Sequence, residues 1–442
     1  MINTKIPNPI FTLLQNRDSA REKGIYSCCS ANEFVIRAAL RRAKANDTVV
    51  LVEATANQVN QNGGYTGMVP SDFRRFLDQL AREEGFPADK LLCGGDHLGP
   101  LTWQGLPEER AMANAEELIR SYVLAGFSKI HIDTSMRVAD DDREQRLPDT
   151  TIARRGARLC RVAEDAFAQY SETHPEAPAP VYVIGSEVPI PGGAQENEDS
   201  VAVTSPADCE ATLAEFRWAF AAQGLEDAWS RVIAIVVQPG VEFADESVIE
   251  YDRAAAKELM GCLKNHPGLV FEGHSTDYQP RECLREMAED GIAILKVGPA
   301  LTFALREGLF ALEQIERELY GVSDFPLSHF RDVLEQVMLE DQSQWAKYYH
   351  GSMPQKRYAR AFSYSDRARY YLTNARVADA VRTLLSNLDH TGIPMALLSQ
   401  YMPVQHARVH DGKLSLKAAD LLIDRVGDCI DDYLYAVLEK GD

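Results

Sequence analysis

The sequence predicts an α/β fold, a (β/α)8 TIM barrel followed by an all-helical C-terminal extension. Three observations predict it. A short β-branched, apolar run followed by an amphipathic helical stretch recurs eight times between Ile25 and Val297. Runs such as VIAIVV are apolar without alternation, as in parallel strands buried on both faces. Beyond Phe303 the strand pattern stops and helix follows helix.

The eight strand candidates are Ile25 to Cys28, Thr48 to Thr55, Leu91 to Gly95, Lys129 to Thr134, Val181 to Glu187, Val232 to Gln238, Leu269 to His274 and Ile292 to Val297. Eight similar units suit a closed barrel better than a doubly wound sheet. Between the strands, Ser30 with Glu33 has capping-box spacing, and Phe73, Phe76, Leu77, Leu80 and Ala81 mark one face of a helix beginning near Ser71. Phe303 to Tyr320, Leu327 to Tyr349, Asp366 to Leu388 and Ser415 to Leu438 read as helices, with breaks at Gly351 to Gln355 and His390 to Pro394. The expected division is a barrel over 1–320 and a helical extension over 321–442 packed on it, with no low-complexity linker.

Composition narrows the function classes. A 442-residue chain with 45% hydrophobic and 25% charged residues is ordinary globular material. Its net charge of −20 argues against nucleic acid or an anionic membrane as partner, while leaving room for a local basic pocket. No run of 18 apolar residues occurs, and the N-terminus lacks the layout of a signal peptide, so a cytoplasmic location is expected. The eight cysteines are scattered and read as reduced, mostly buried thiols.

Chemistry is expected where barrel strands end, because that face carries the active site in this architecture. Strand 2 runs into Glu53, Asn57 and Gln58; strand 3 ends in Gly94-Gly95-Asp96-His97 and strand 4 in His131-Ile-Asp133. Strand 5 gives Glu187 ahead of Gly192-Gly193, strand 6 gives Gln238-Pro239-Gly240, and strand 7 gives Glu272-Gly273-His274-Ser275. Residues i and i+2 of a strand share a face, so His131 pairs with Asp133 and Glu272 with His274. Imidazoles and carboxylates on one rim suit a divalent ion such as Zn, Mn, Co or Ni. His131 alone reads as a hydrogen-bonded core histidine, and Cys93 as core. His97 and His274 each stand beside an acid in a glycine-containing strand end, which marks them as functional.

The strings EATANQVNQNGGYTGM, GGDHLGPLTWQ, GFSKIHIDTSM, VIGSEVPIPGG, VIAIVVQPGVEF, FEGHSTDYQ, ILKVGPALTFALRE and YSDRARYY together resemble the GatZ/KbaZ-like family over nearly the whole chain. That family is related to class II fructose- and tagatose-bisphosphate aldolases. The resemblance implies a TIM barrel and a phosphorylated ketohexose as substrate, with a catalytic class II aldolase subunit as a further partner. Against those aldolases, Asp96-His97 resembles the pair in which Asp is the acid/base and His a metal ligand; Asp133 and Glu187 also fall in strings like theirs. Gln238-Pro-Gly stands where a second metal histidine would be, and Glu272-Gly-His274-Ser where the third would be.

Two outcomes fit those departures. Either the chain is a non-catalytic subunit that stabilises a separate aldolase, or it binds metal through another set, His97, Glu272 and His274 with Gln238. The number of acids and imidazoles retained favours the second, because buried charges are costly to keep. The reaction implied is the interconversion of D-tagatose 6-phosphate and D-fructose 6-phosphate at C4 by retro-aldol cleavage and re-addition. Asp96 is the expected acid/base, with Glu187 the second candidate. Asn57, Asp133, Gly240, Gly273, Ser275 and Gly298 are expected to line the sugar and phosphate sites, with Arg306 or Arg367 as alternative cations. A sugar-phosphate kinase is disfavoured, since no G-x-x-x-x-G-K-[ST] string is present. A homo-oligomer is compatible with the sequence, which does not fix the oligomeric state.

Overall fold

Eight parallel strands close into a barrel in which the first pairs with the eighth and the others pair in sequence order. The computed structural model describes residues 7–188 and 201–439. The strands are β1 Ile25–Cys28, β2 Val50–Thr55, β3 Leu91–Leu98, β4 Lys129–Ile132, β5 Val181–Ile184, β6 Val232–Val237, β7 Val270–Gly273 and β8 Ile292–Val297. All eight expected strands are present. Two strands differ by three residues: β5 stops at Ile184 rather than Glu187, and β3 runs on through Asp96 and His97 to Leu98 with a register shift between Gly95 and Leu98. Such a bulge re-aims side chains at a barrel rim.

The lower half of the barrel interior is apolar, with Ile25, Leu51, Leu92, Val181, Val183, Ala234, Val270 and Ile294 in one cluster. A helix the periodicity did not reveal, Pro9–Asn16, closes that end by adding Ile10 and Leu14 to the cluster. Asn8 both caps this helix, accepting from Ile10 N at 3.0 Å, and donates to the carbonyls of Ser128 and Ala179 at the barrel floor. Burying Ile10 and Leu14 stabilises the plug by about 1.5–3 kcal/mol each.

The outer helices differ from expectation in their caps. Asn32, not Ser30, caps the Glu33–Ala45 helix by accepting from Phe34 N at 3.0 Å, while Ser30 supports Asn32. Ser352 and Gln355 form a capping box with Pro354 in the first turn, so Gly351 to Gln355 starts the Met353–Phe362 helix rather than a simple break. Leu327 to Tyr349 and Asp366 to Leu388 each contain a shorter helix, Phe330–Glu340 and Ala375–Thr391, and two further short helices follow at Met395–Tyr401 and Pro403–His410.

The extension is built into the barrel wall. Its last helix, Ala418–Val437, packs against Glu33–Ala45, Arg281–Asp290 and Pro299–Tyr320, filling the place between the first and seventh outer helices. Tyr433 donates to Thr276 O at 2.8 Å and its ring meets Tyr26 of β1. Lys23 N bonds Val437 O at 2.8 Å, tying the two ends of the described chain together. Among the described residues, no helix is long and apolar enough to cross a membrane.

Candidate active site

Above the apolar layer the barrel interior turns ionic. Glu53 of β2, Lys129 of β4, Glu272 of β7 and Lys296 of β8 all face inward and are buried. Lys129 Nζ lies 2.7 Å from both Glu53 Oε1 and Glu272 Oε2. Lys296 Nζ contacts Glu53 and lies 2.9 Å from Asp96 Oδ1 and 3.9 Å from Glu272 Oε1. Ser27 of β1 also donates to Glu53. Gly94 faces Glu53 across the β2–β3 pair, and its lack of a side chain is what admits the carboxylate.

A layer of imidazoles and carboxylates stands on this one. Asp96, His131, Glu272 and His274 are buried, and one ligand-type atom from each lies within 4.8 Å of the others. His274 Nε2 is 3.0 Å from Glu272 Oε1, and His131 Nδ1 is 2.9 Å from Asp96 Oδ1. His131 Nδ1 also lies 3.2 Å from the backbone nitrogen of His97; as donor to Asp96 it leaves Nε2 with a lone pair, buried and with no hydrogen-bond partner among the described residues. An orphaned buried ring nitrogen costs about 1–3 kcal/mol unless something binds it.

His97 is the strained member, with φ +49 in the left-handed region that a histidine seldom adopts. Its Nδ1 donates to Asp133 Oδ2 at 2.8 Å, which turns Nε2 to within 3.8 Å of Asp96 Oδ2. A carboxylate behind an imidazole is the arrangement that orients metal-ligating histidines. The three rings of His97, His131 and His274 have centroids 4.9–5.1 Å apart. Gly99 allows the strand end to pass Asp133, because a Cβ there would fall 1.6 Å from the Asp133 carbonyl oxygen.

Electrostatics follow from this crowding. Burial raises Asp96 and Glu272, but Lys296 with His97, His131 and His274 for the first, and Lys129 and Lys296 with His274 and His131 for the second, together outweigh it and hold both well below the usual carboxylate range. Burial lowers Lys129 and Lys296, and the facing carboxylates more than offset it. Burial pulls His274 down to about 4, keeping it neutral and able to ligate. Burial opposes His97 in the same way, yet Asp96 and Asp133 raise it above the ordinary imidazole value. Four carboxylates, Glu53, Asp96, Asp133 and Glu272, face two ammoniums. The excess of two negative charges matches a divalent ion, so these residues can hold one.

Asp96, His97, His274 and Lys296 line a cavity of about 260 Å³ whose walls come from the ends of β1, β2, β3, β7 and β8 and from Arg369, Tyr370, Leu372 and Thr373 of the extension, while His131 and Glu272 are fully buried and do not line it. The model of the family described as D-tagatose-1,6-bisphosphate aldolase subunit GatZ/KbaZ-like matches residues 10–438. The chain belongs to this family. Among solved structures it is similar to a probable tagatose 6 phosphate kinase from Sinorhizobium meliloti 1021, at 47% identity and a TM-score of 0.84, over 93% of this chain and 100% of that one. More distant likenesses are a putative fructose-1,6-biphosphate aldolase from Coccidioides immitis (16% identity, TM-score 0.42, 87% and 97% covered) and the fructuronate-tagaturonate epimerase UxaE from Cohnella laeviribosi (12%, 0.46, 99% and 84%).

Within this GatZ/KbaZ-like barrel the sequence candidates separate into groups. Asp96, His97, Asp133, Glu272 and His274 stand together. Asn57, Ser275 and Gly298 line the cavity, Ser275 with φ +53. Gln238 does not join them, since its Oε1 accepts from Gly240 N at 2.9 Å and Val241 N at 3.0 Å and closes its own turn. Gly240 and Gly273 are not on the cavity; a Cβ at Gly273 would meet Ile292 at 2.7 Å, so this glycine serves packing. Glu187 lies off the cavity, bound by Thr204 Oγ1 at 2.5 Å and facing Arg146 at 3.4 Å. Gly192 and Gly193 lie outside the described residues.

Arg306 donates from Nε to Asp366 at 2.9 Å, and Arg367 stacks on Tyr348 at 3.3 Å, so neither faces the cavity. The sequence reading missed Lys129, Lys296 and Arg369. The first two carried a legible signal: Lys296 is a charge inside an otherwise apolar strand, and Lys129 opens its strand on the face it shares with His131.

Proposed function

We propose that the chain is a metal-dependent epimerase interconverting D-tagatose 6-phosphate and D-fructose 6-phosphate at C4. The observation that carries this reading is the convergence of Asp96, His131, Glu272 and His274 in one buried cluster, of which Asp96 and His274 reach the barrel cavity. His131, Glu272 and His274 would hold a divalent ion, Zn, Mn, Co or Ni, which supplies polarisation of the ketose carbonyl.

In a 2-ketose the hydrogen on C4 is not adjacent to the carbonyl, so its removal does not invert C4. Cleaving C3–C4 does permit inversion. Asp96, held ionised by Lys296, takes the proton of the C4 hydroxyl. The C3–C4 electron pair passes to the C2 carbonyl, giving an enediolate and an aldehyde. The aldehyde rotates, the enediolate attacks its other face, and Asp96 returns the proton to the new C4 alkoxide. Lys296, whose ammonium lines the cavity beside Asp96, and His97, fixed by Asp133, keep that carboxylate aimed inward.

A second reading, a non-catalytic subunit that stabilises a separate aldolase, is favoured by one feature. The ammonium groups of Lys129 and Lys296 already neutralise part of the carboxylate cluster. Purified protein incubated with tagatose 6-phosphate and divalent ions, without any partner, separates the two. Formation of fructose 6-phosphate that is lost in His131→Ala supports the epimerase. No turnover with any ion, together with stabilisation of a class II aldolase, supports the subunit.

A further inference from the structure

We propose that Arg369, brought to the cavity by the helical extension, holds the phosphoryl group of the substrate. This inference rests on the sugar-phosphate reading above. Of the described residues lining the cavity, only Lys296 and Arg369 carry a fixed positive charge. Lys296 lies on the floor and is spent on Glu53 and Asp96. Arg369 has no carboxylate within 4.0 Å among the described residues; its bonds go from Nη1 to the carbonyls of Ser365 and Asp366 and from Nη2 to the Tyr370 hydroxyl at 3.1 Å. A guanidinium has five donor hydrogens, so those three bonds leave two, the number a bidentate phosphate contact takes.

The position that commonly receives phosphate in a TIM barrel is closed here. That position is the loop after the seventh strand and the N-terminus of the helix after the eighth. In this chain Asp277 Oδ1 accepts from Gly298 N at 3.0 Å and Ala300 N at 2.8 Å, so a carboxylate already fills the donors a phosphate would use. An anion in the cavity is thereby directed to the guanidinium opposite.

Arg369 is also held in place. Asp366, with φ +43, accepts from Thr302 Oγ1 at 2.7 Å and Arg306 Nε at 2.9 Å, pinning the turn that carries Arg369 to the Pro299–Tyr320 helix. On the other side the Tyr370 ring meets Tyr65 of the loop after β2 edge-on at 4.8 Å. The buried Arg306 therefore positions the turn from behind.

The test is calorimetric titration of metal-loaded full-length protein with D-fructose 6-phosphate and, separately, inorganic phosphate. Arg369→Gln is expected to weaken both by about 10- to 100-fold with its melting temperature unchanged, since charge-assisted hydrogen bonds are lost without a core contact. Should that variant melt early, Arg369→Lys, which keeps the charge and loses the fork, takes its place and is expected to fall between the two affinities. Unchanged affinity in a folded variant, or a wild type that binds neither ligand, overturns the assignment. A wild type that binds sugar phosphate through Arg369 but does not turn over tagatose 6-phosphate removes the epimerase reading and leaves the subsite standing.

Discussion

Gly94→Ala tests the ionic layer under the site. A Cβ at this position would lie 2.4 Å from Glu53 Oε1, 3.0 Å from its Cγ and 3.1 Å from its Cδ. The carboxylate has nowhere to retreat, because Lys129 at 2.7 Å, Lys296 and Ser27 hold it from other sides. Leaving one charge of a buried pair uncompensated costs about 3–5 kcal/mol, and alanine in a strand recovers about 0.4–1 kcal/mol through the unfolded state. The net loss is about 2–4.6 kcal/mol. With an unfolding entropy near 2.1 cal/mol/K per residue, a chain of this length should melt about 2–5 °C lower. Scanning calorimetry reads this directly. Gly261→Ala is the control, since no atom stands within 4 Å of its Cβ position, and it should melt no lower than wild type. A Gly94→Ala protein that melts with wild type would refute the claim that Glu53 is locked.

Three further outcomes are expected. Burial pushes Asp277 up to about 6 from an ordinary value of 3.8, so its contribution to stability is full below about pH 4 and lost as the pH rises through 6. Asp277→Asn keeps the acceptor for Gly298 and Ala300 and should gain up to about 3 kcal/mol at pH 7.5 but little at pH 4.5; equal shifts in urea midpoint at both values would contradict this. Removing residues 412–442 strips the Ala418–Val437 helix from the barrel wall and should yield insoluble or protease-sensitive protein, checked by limited proteolysis. His131→Ala should lower bound metal at least tenfold by elemental analysis after dialysis against trace ion, while a full complement would exclude His131 from the site.

The barrel was legible because parallel strands buried on both faces give unbroken apolar runs, and β8 fell on its expected limits, Ile292 to Val297. The short plug Pro9–Asn16 was not, since eight residues hold too few turns for a periodic signal, and its burial comes from the barrel floor. Nor could spacing show that Ala418–Val437 completes the barrel wall, a contact between chain segments far apart. At the site, Asp96, His97, Glu272 and His274 were visible as strand-end acids and imidazoles. Taken singly, His131 gave no sign that it joins Asp96, Glu272 and His274 in one buried cluster. Gln238 looked equivalent to a ligand from sequence because nothing in the string shows its amide turning back on Gly240.

The central claim is that this chain alone inverts C4 through C3–C4 cleavage. The direct measurement is proton NMR of tagatose 6-phosphate with the metal-loaded protein in deuterated water. The account predicts fructose 6-phosphate that retains its C4 hydrogen, with formation abolished in Asp96→Asn. No product, or product carrying deuterium at C4, would contradict it.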